Sequence, residues 1–246
     1  MTDDSLELET YSRGQKFWAY GVHAYTATGL LCGALIAADI VQGNYRRSFV
    51  WMILAVLIDA TDGTFARKLR VKEVVPHIDG RKLDDIVDYL NYTFLPLLMV
   101  GSAGWLPQPS WLWVSIPLVA SVFAFVHTGA KEELNGFFRG FPSYWNVFAF
   151  YTAIWLAGLG QGVVLAFALA LSVLSVLPIR FVYPNRAPRW RVLFVGGGVI
   201  WLLVIAAILC YYPKSSIPAG LLWLSAVYPA FYVAASVYLD WRLRPR

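Results

Sequence analysis

Residues 57–94 read LIDATDGTFARKLRVKEVVPHIDGRKLDDIVDYLNYTF, and this stretch joins two long apolar runs of the chain. Six aspartates lie within it: Asp59, Asp62, Asp79, Asp84, Asp85 and Asp88. A charged side chain at the centre of a membrane helix costs about 2.5–3.5 kcal/mol on insertion scales, so acids next to apolar runs indicate a functional site. The stretch therefore predicts two membrane helices that meet at one surface and carry acidic groups there.

The composition of the whole chain supports a membrane protein. Of its 246 residues, 59% are hydrophobic and 14% are charged, whereas soluble domains carry about 25% charged residues. A chain this apolar cannot cover a water-facing surface, so lipid must be its solvent. The 11 tryptophans suit side chains that anchor at the lipid–water interface. The two cysteines both lie inside apolar runs, which argues against a disulfide framework.

A scan for runs of roughly 20 mostly apolar residues predicts eight membrane spans. They are residues 17–41, 48–68, 84–103, 110–129, 143–159, 161–182, 191–212 and 217–239. The predicted fold class is therefore an all-α, polytopic helical bundle, with one transmembrane domain at 17–239. An N-terminal cytoplasmic segment, 1–16, and a basic cytoplasmic tail, 240–246, are predicted to flank it.

The distribution of Lys and Arg predicts the orientation, because cytoplasmic loops carry an excess of both. With the N-terminus inside, 17 of the 20 basic residues fall in cytoplasmic segments. Both termini and the acidic site are then expected to face the cytoplasm. The net charge of +5 comes from short loops rather than from one basic patch, so a nucleic-acid partner is not indicated.

Helical spacing sorts the aspartates into two faces. Asp59 and Asp62 share a face of the second span at i and i+3, while Gly80, Asp84 and Asp88 repeat every four residues on the third. Four carboxylates this close repel one another unless cations neutralise them. Carboxylate oxygens suit Mg²⁺, Mn²⁺ or Ca²⁺. The pattern therefore predicts a site for divalent metal ions.

The residues beside these acids allow two interpretations. Gly63, Ala66 and Gly80 fit either close helix packing, which is common in membranes, or close approach of a ligand to the backbone. Asp85 points about 100° away from Asp84 on a helix, which favours a helix-start or surface role. Asp79 is expected to lie in the linker or to cap the third span.

The pattern from Asp59 to Asp88, D-x2-D-G-x2-A-R-x12-G-x3-D-x3-D, resembles the signature of the CDP-alcohol phosphatidyltransferase family. All eight signature positions are occupied: Asp59, Asp62, Gly63, Ala66, Arg67, Gly80, Asp84 and Asp88. The 12 residues between Arg67 and Gly80 make a longer gap than in most members. This gap, the chain length, the eight spans and the stretch GFPSYWN at 140–146 are similar to the bacterial branch that forms phosphatidylcholine.

The resemblance implies an enzyme of the bacterial inner membrane that moves the phosphatidyl group of CDP-diacylglycerol to choline and releases CMP. It implies two divalent metal ions, Mn²⁺ or Mg²⁺, and a homodimer. The implied metal ligands are Asp59, Asp62, Asp84 and Asp88. Asp88 is also implied as the general base that takes the proton of the acceptor hydroxyl. The residues implied to lie against the CDP group and its phosphates are Gly63, Ala66, Arg67 and Gly80.

Choline carries a quaternary ammonium that cannot donate a hydrogen bond, so aromatic faces and an acid are expected to recognise it. Candidates on the cytoplasmic segments are Glu132, Glu133, Tyr144, Trp145 and Tyr183. One alternative keeps the chemistry but uses serine, glycerol 3-phosphate or inositol phosphate. Basic residues that suit such acceptors are Arg180, Arg186, Arg189 and Arg191. A second alternative is a divalent-cation transporter, in which the acids are ion sites.

Overall fold

The computed structural model describes residues 11–127, 131–132, 136–213 and 217–243. The α-helices in this part of the chain are α1 (Arg13–Ala27), α2 (Gly29–Val41), α3 (Tyr45–Lys68), α4 (Val71–Val74), α5 (Gly80–Asp88), α6 (Leu95–Ser102), α7 (Ser110–Val126), α8 (Trp145–Ile154), α9 (Gln161–Val176), α10 (Arg191–Tyr211) and α11 (Ala219–Leu243). A π-helix, Tyr89–Phe94, joins α5 to α6, and short 3₁₀ helices span Leu156–Leu159 and Pro184–Arg186. The strands are β1 (Lys131–Glu132), β2 (Phe137–Arg139) and β3 (Arg180–Val182).

Among the described residues, four helical stretches are long and apolar enough to cross a membrane. They are Arg13–Val41, which joins α1 to α2, and the helices α3, α10 and α11. Helices α7 and α9 are apolar but shorter. Each predicted span coincides with helical structure over most of its length, the third with α5, the π-helix and α6, and the fifth with α8 and the 3₁₀ turn after it. The prediction of an all-α, polytopic membrane protein is confirmed.

One predicted span is wrong at its end. The helix of span 161–182 stops at Val176, and Arg180–Val182 form strand β3 instead. Leu177 adopts an extended conformation, as expected for a residue that precedes a proline, here Pro178. Strand β3 pairs antiparallel with β2, and β2 pairs antiparallel with β1. This small sheet was not expected from the sequence.

A buried ion pair ties the sheet to the last helix. The Arg180 Nε donates to the Asp240 carboxylate at 2.5 Å, and both side chains are about nine-tenths buried. The guanidinium also lies over the ring of Phe137, 4.9 Å from its centroid. The Tyr232 hydroxyl of α11 donates to the Val182 carbonyl at 2.9 Å. Helix α11 ends at Leu243, beyond residue 239 where the last predicted span ends. Asp240 thus lies within the helix and has a partner in the fold.

Replacing Asp240 with Asn is expected to destabilise the protein by about 3 kcal/mol, because it leaves the Arg180 charge buried without its counter-ion. The thermal midpoint of the detergent-purified protein measures this effect. Arg242→Gln is the matched control, since Arg242 is exposed on the same helix and its guanidinium donates to the hydroxyl of the exposed Tyr238. It should change stability by less than about 0.5 kcal/mol. Equal midpoints for the two variants would contradict the structural role of the pair.

The third span begins with a capped helix, α5, and continues as a wider π-helix directly after its aspartates. Asp79 caps α5, because its carboxylate accepts a hydrogen bond from the Lys82 amide at 3.1 Å, as predicted. The π-helix follows directly after Asp88. Pro96 lies in the first turn of α6, has no N–H to donate, and displaces the carbonyl four residues earlier. A wider π turn before Pro96 accommodates this loss, and such turns are frequent at functional sites.

Helix α1 holds the two acidic helices together at one end. It begins with a capping box, in which the Ser12 hydroxyl accepts from the Gln15 amide and the Gln15 side chain accepts from the Ser12 amide. Its inner face packs against α3, α4 and α5. The buried residues of this contact are Ala19, Val22, Val71, Val74 and Val75. Because α4 lies in the linker between α3 and α5, this packing brings the aspartates of both helices to the same end.

Candidate active site

Three carboxylates come together where α3 approaches α5. Asp59, Asp84 and Asp88 each offer a carboxylate oxygen, and these oxygens all lie within 4.8 Å of one another. All three side chains stay at least partly open to solvent. Oxygens at this separation, contributed by two helices, form a donor set that a hard divalent cation such as Mg²⁺ or Mn²⁺ can bridge. The structure thus brings together three of the four aspartates that helical spacing singled out.

The fourth predicted ligand, Asp62, stands slightly apart from this group. It is 7% exposed, and its carboxylate accepts a hydrogen bond from the Thr26 hydroxyl of α1 at 2.8 Å. One residue earlier on each helix, the Tyr25 and Thr61 hydroxyls also share a hydrogen bond at 2.8 Å. Thr26 was missed by the sequence analysis, because a lone threonine in an apolar run carries no signal of its partner 36 residues away.

Replacing Thr26 with Val is expected to slow catalysis about tenfold, because a buried carboxylate that loses a hydrogen bond costs about 1–3 kcal/mol and Asp62 is then free to turn. The measurement is kcat together with the metal concentration that gives half-maximal activity. Thr26→Ser restores the hydroxyl and should recover both values. If Thr26→Val retained the wild-type metal dependence, the contact would not position Asp62.

A tyrosine on the same helix face as two of the aspartates completes the acidic surroundings. Tyr92 extends the four-residue repeat of Asp84 and Asp88. Its side chain lies within electrostatic reach of the four motif aspartates, Asp59, Asp62, Asp84 and Asp88. A phenol next to carboxylates can donate a hydrogen bond to them. Continuing the repeat by one more step would have found this residue from the sequence.

Gly63 leaves room for the Arg67 side chain on one face of α3. A side-chain carbon at position 63 would lie 3.3 Å from the Arg67 guanidinium, so glycine leaves room for that group. The guanidinium donates to the Thr64 hydroxyl at 3.2 Å and lies within electrostatic reach of Asp62. Arg67 is exposed. A planar guanidinium held in this way suits bidentate contact with phosphate oxygens.

The other small residues of the motif are explained by helix packing. A side-chain carbon at Gly80 would lie 2.8 Å from the His23 imidazole of α1, so glycine permits the close approach of α1 to α5. Ala66 packs against the apolar contact between α1 and α4. Of the two interpretations left open by the sequence, packing accounts for Gly80 and Ala66 in this structure.

Two of the predicted choline contacts lie on one aromatic surface. The ring of Tyr144 packs against Tyr232 with centroids 5.9 Å apart, and Tyr183 stacks on Phe138 at 5.1 Å. Tyr144 also lies within electrostatic reach of Tyr183 and Asp59. This aromatic surface, formed by Tyr144, Tyr183, Tyr232 and Phe138, therefore lies within electrostatic reach of Asp59 in the carboxylate cluster.

The remaining predicted choline contacts have different positions. Trp145 is fully buried, and its indole N–H donates to the Ser121 hydroxyl at 2.7 Å. Trp145 therefore has a role in core packing. The backbone of Glu132 pairs with Phe137 in the sheet. The side chain of Glu132, like the whole of Glu133, lies outside the described residues.

Comparison with known proteins identifies the family. The profile of the CDP-alcohol phosphatidyltransferase family matches residues 23–177, which include all eight signature positions. The chain belongs to the CDP-alcohol phosphatidyltransferase family. It is therefore a membrane-embedded transferase enzyme, and the clustered aspartates lie within the range that matches its family. Tyr183 and the strand before it lie beyond the matched range.

Curated relatives cover nearly the whole chain. A phosphatidylcholine synthase from Borreliella burgdorferi is 32% identical over 230 residues, which are 93% of this chain and 97% of the relative. One from Pseudomonas aeruginosa is 34% identical over 224 residues, 89% of this chain and 91% of the relative. One from Legionella bozemanae is 32% identical over 214 residues, 84% of this chain and 96% of the relative. The similarity to these CDP-alcohol phosphatidyltransferases thus extends well beyond the signature.

Proposed function

We propose that this chain is a phosphatidylcholine synthase that transfers the phosphatidyl group of CDP-diacylglycerol to choline. The choline oxygen forms a bond to the phosphatidyl phosphorus, the bond from that phosphorus to CMP breaks, and the hydroxyl proton passes to a carboxylate. The observation that carries the proposal is the cluster of Asp59, Asp84 and Asp88 in a chain similar along its length to proteins with this activity.

The carboxylates are proposed to hold two divalent ions, Mn²⁺ or Mg²⁺. The residues that would hold them are Asp59, Asp62, Asp84 and Asp88, of which three already converge. When bound, the ions would neutralise the charge of the pyrophosphate and of the departing CMP. Thr26 would orient Asp62 towards the same space, since its hydroxyl fixes one oxygen of that carboxylate.

Asp88 is proposed as the general base. A carboxylate has two oxygens, so one can bind a cation while the other accepts a proton. Alcohols are weak nucleophiles near neutral pH, and a well-placed base accelerates such steps by about 10²–10⁴-fold. Arg67 is proposed to bind the donor phosphates, because its guanidinium is exposed beside the cluster and held by Thr64.

Choline is proposed to bind at the aromatic surface beside the cluster. The rings of Tyr144 and Tyr183 belong to this surface, and an aromatic face attracts a quaternary ammonium by about 0.5–2 kcal/mol. The proximity of Asp59 adds a negative charge. Of the basic residues that would favour a phosphate-bearing acceptor, Arg180 is engaged with Asp240 inside the fold. This arrangement favours a cationic acceptor over glycerol 3-phosphate or inositol phosphate.

The test is release of CMP from CDP-diacylglycerol by the purified protein, with Mn²⁺ and one alcohol at a time. Choline is expected to support a rate at least about 100-fold above that with serine, glycerol 3-phosphate or inositol phosphate, because aromatic rings within electrostatic reach of Asp59 favour a quaternary ammonium over an acceptor that carries negative charge. Release of CMP with serine but not with choline would show that serine is the acceptor, while transfer of the phosphatidyl group from CDP-diacylglycerol would still hold. An omission of the alcohol measures background hydrolysis.

The setting of the reaction is proposed to be the cytoplasmic face of a bacterial inner membrane, with both termini in the cytoplasm and the protein a homodimer. The excess of basic residues on one side supports the orientation. A divalent-cation transporter is not supported. Across the described ranges, one group of three possible ligand side chains comes together, where α3 approaches α5, whereas a transporter needs sites along a path through the bilayer.

A further inference from the structure

A small cavity lies where α7, α9 and strand β2 end, away from the carboxylate helices. Its volume is about 200 Å³. The residues that line it are Phe123, Ala124, His127, Arg139, Ser175, Val176, Leu177 and Pro178. None of them belongs to the motif of Asp59–Asp88 or to the aromatic surface. The volume is below the roughly 300 Å³ at which pockets begin to hold a whole small molecule, so it fits a compact group.

Backbone hydrogen bonds define the shape of the cavity, because they hold the chain after β2 against the end of α9. The Gly140 amide donates to the Ile179 carbonyl at 2.7 Å, and the Phe141 amide donates to the Leu174 carbonyl at 3.0 Å. Gly140 has φ of +85°, and a side-chain carbon there would lie 2.3 Å from the Ser175 carbonyl oxygen. Only glycine fits this crossing, and the crossing fixes Arg139 beside Ser175 and Val176.

The cavity combines a cation with an apolar rim. Arg139 is exposed, and in the part of the chain that the structure describes no carboxylate forms an ion pair with its guanidinium. Beside it, Phe123 is 64% exposed and Val176 is 59% exposed. In a membrane protein such apolar side chains face lipid. A guanidinium next to lipid-facing apolar groups matches the two parts of a phospholipid, its phosphate and the start of its acyl chains.

We propose that this cavity binds the phosphate of an anionic membrane phospholipid, with Arg139 as its main ligand. Guanidinium groups bind phosphate oxygens through two parallel hydrogen bonds, and basic pockets between membrane helices recognise acidic lipid headgroups. A net negative headgroup is favoured because the cavity has a cation and, among its lining residues, no acid. A zwitterionic headgroup would bring a second cation towards Arg139.

The site also has a physical link to the catalytic helix. Tyr89 directly follows Asp88, and its hydroxyl donates to the Leu118 carbonyl of α7 at 3.1 Å. Its ring meets Phe125 of α7 edge-on, with centroids 5.5 Å apart. Phe125 lies in the sequence between Ala124 of α7 and His127, the residue that follows α7, and both of these line the cavity. A lipid that holds the end of α7 in place would therefore also steady the π turn beside Asp88.

The experiment is binding of phosphatidylglycerol by the full-length protein in a neutral detergent, followed by the rise in thermal midpoint across a lipid titration. Wild-type protein is expected to be stabilised by phosphatidylglycerol, and Arg139→Gln to require about tenfold more of it. Arg191→Gln is the matched control, because Arg191 is another exposed arginine at a helix end and does not line the cavity. It should titrate as the wild type does.

A second variant tests the cavity without changing its charge. Ala124→Leu fills the space from the α7 side and should weaken binding to a similar degree if the headgroup enters the cavity. Two further ligands separate the sources of phosphate. Equal stabilisation by phosphatidylcholine would overturn the charge argument, and equal stabilisation by inorganic phosphate would overturn the lipid assignment. If both Arg139→Gln and Ala124→Leu responded to phosphatidylglycerol at the same concentrations as the wild type, the proposed lipid site would be refuted. This result does not depend on which acceptor alcohol the enzyme uses.

Discussion

Asp88→Asn is expected to lower kcat for CMP release by at least about 10³-fold while the protein still inserts and folds. The substitution removes the proton acceptor, whose contribution is about 10²–10⁴-fold, and it also weakens one ligand of the carboxylate cluster. Asn has nearly the same shape as Asp, so the packing of α5 against α1 should persist. The measurements are steady-state kinetics with choline and the thermal midpoint in detergent.

The matched control for this variant is Asp85→Asn, which makes the same chemical change three residues earlier. Asp85 lies on the same helix but is not part of the carboxylate cluster, so its activity should stay within about threefold of the wild type. A fully active Asp88→Asn enzyme would refute the assignment of the base. Equal losses in both variants would show that the effect comes from the charge of α5 as a whole.

Removing divalent ions with EDTA is expected to reduce the rate by more than about 100-fold, and Mn²⁺ or Mg²⁺ should restore it. Asp59, Asp84 and Asp88 repel one another without a cation, and the stripped enzyme lacks the positive charge that the ions would supply to the donor pyrophosphate. Asp59→Asn should raise the metal concentration needed for half-maximal activity by about tenfold or more, because it removes one charged oxygen ligand from the cluster.

Sodium chloride at equal ionic strength is the control for this experiment, since it screens charge without bridging two carboxylates. It should leave the stripped enzyme inactive. A protein that contains no metal by elemental analysis and still turns over at the full rate would eliminate the metal site. The thermal midpoint of the stripped protein distinguishes loss of chemistry from loss of fold.

The parts of the fold that rest on local periodicity were predictable from the sequence. The four-residue repeat of Asp84 and Asp88 put both carboxylates on one face, and apolar runs predicted where the helices lie. The cap at Asp79 followed from its position before Gly80. These features need only the few residues around them, because hydrogen bonding and helix geometry act within one or two turns.

The parts that depend on distant partners were not predictable. Arg180 reads as one more basic loop residue until Asp240, 60 residues later, is seen to pair with it. Trp145 reads as an interfacial tryptophan until Ser121 is found at its indole N–H. The strands of the sheet have two or three residues each, too few for an alternating pattern to appear. A single sequence carries no signal of such long-range contacts.

The π turn at Tyr89–Phe94 has a consequence for how this helix can vary. Relative to an α-helix it holds one extra residue, so it offsets the rotation of everything after it by about 100°. The carboxylates lie before the turn, and the buried packing residues Leu95, Leu97, Met99 and Val100 lie after it. The turn thus sets the rotation of α6 relative to the helical turns that carry the carboxylates. Substitutions that change how α6 packs in the bilayer therefore need not change the direction of the carboxylate side chains. The residues before and after the turn can vary independently of one another.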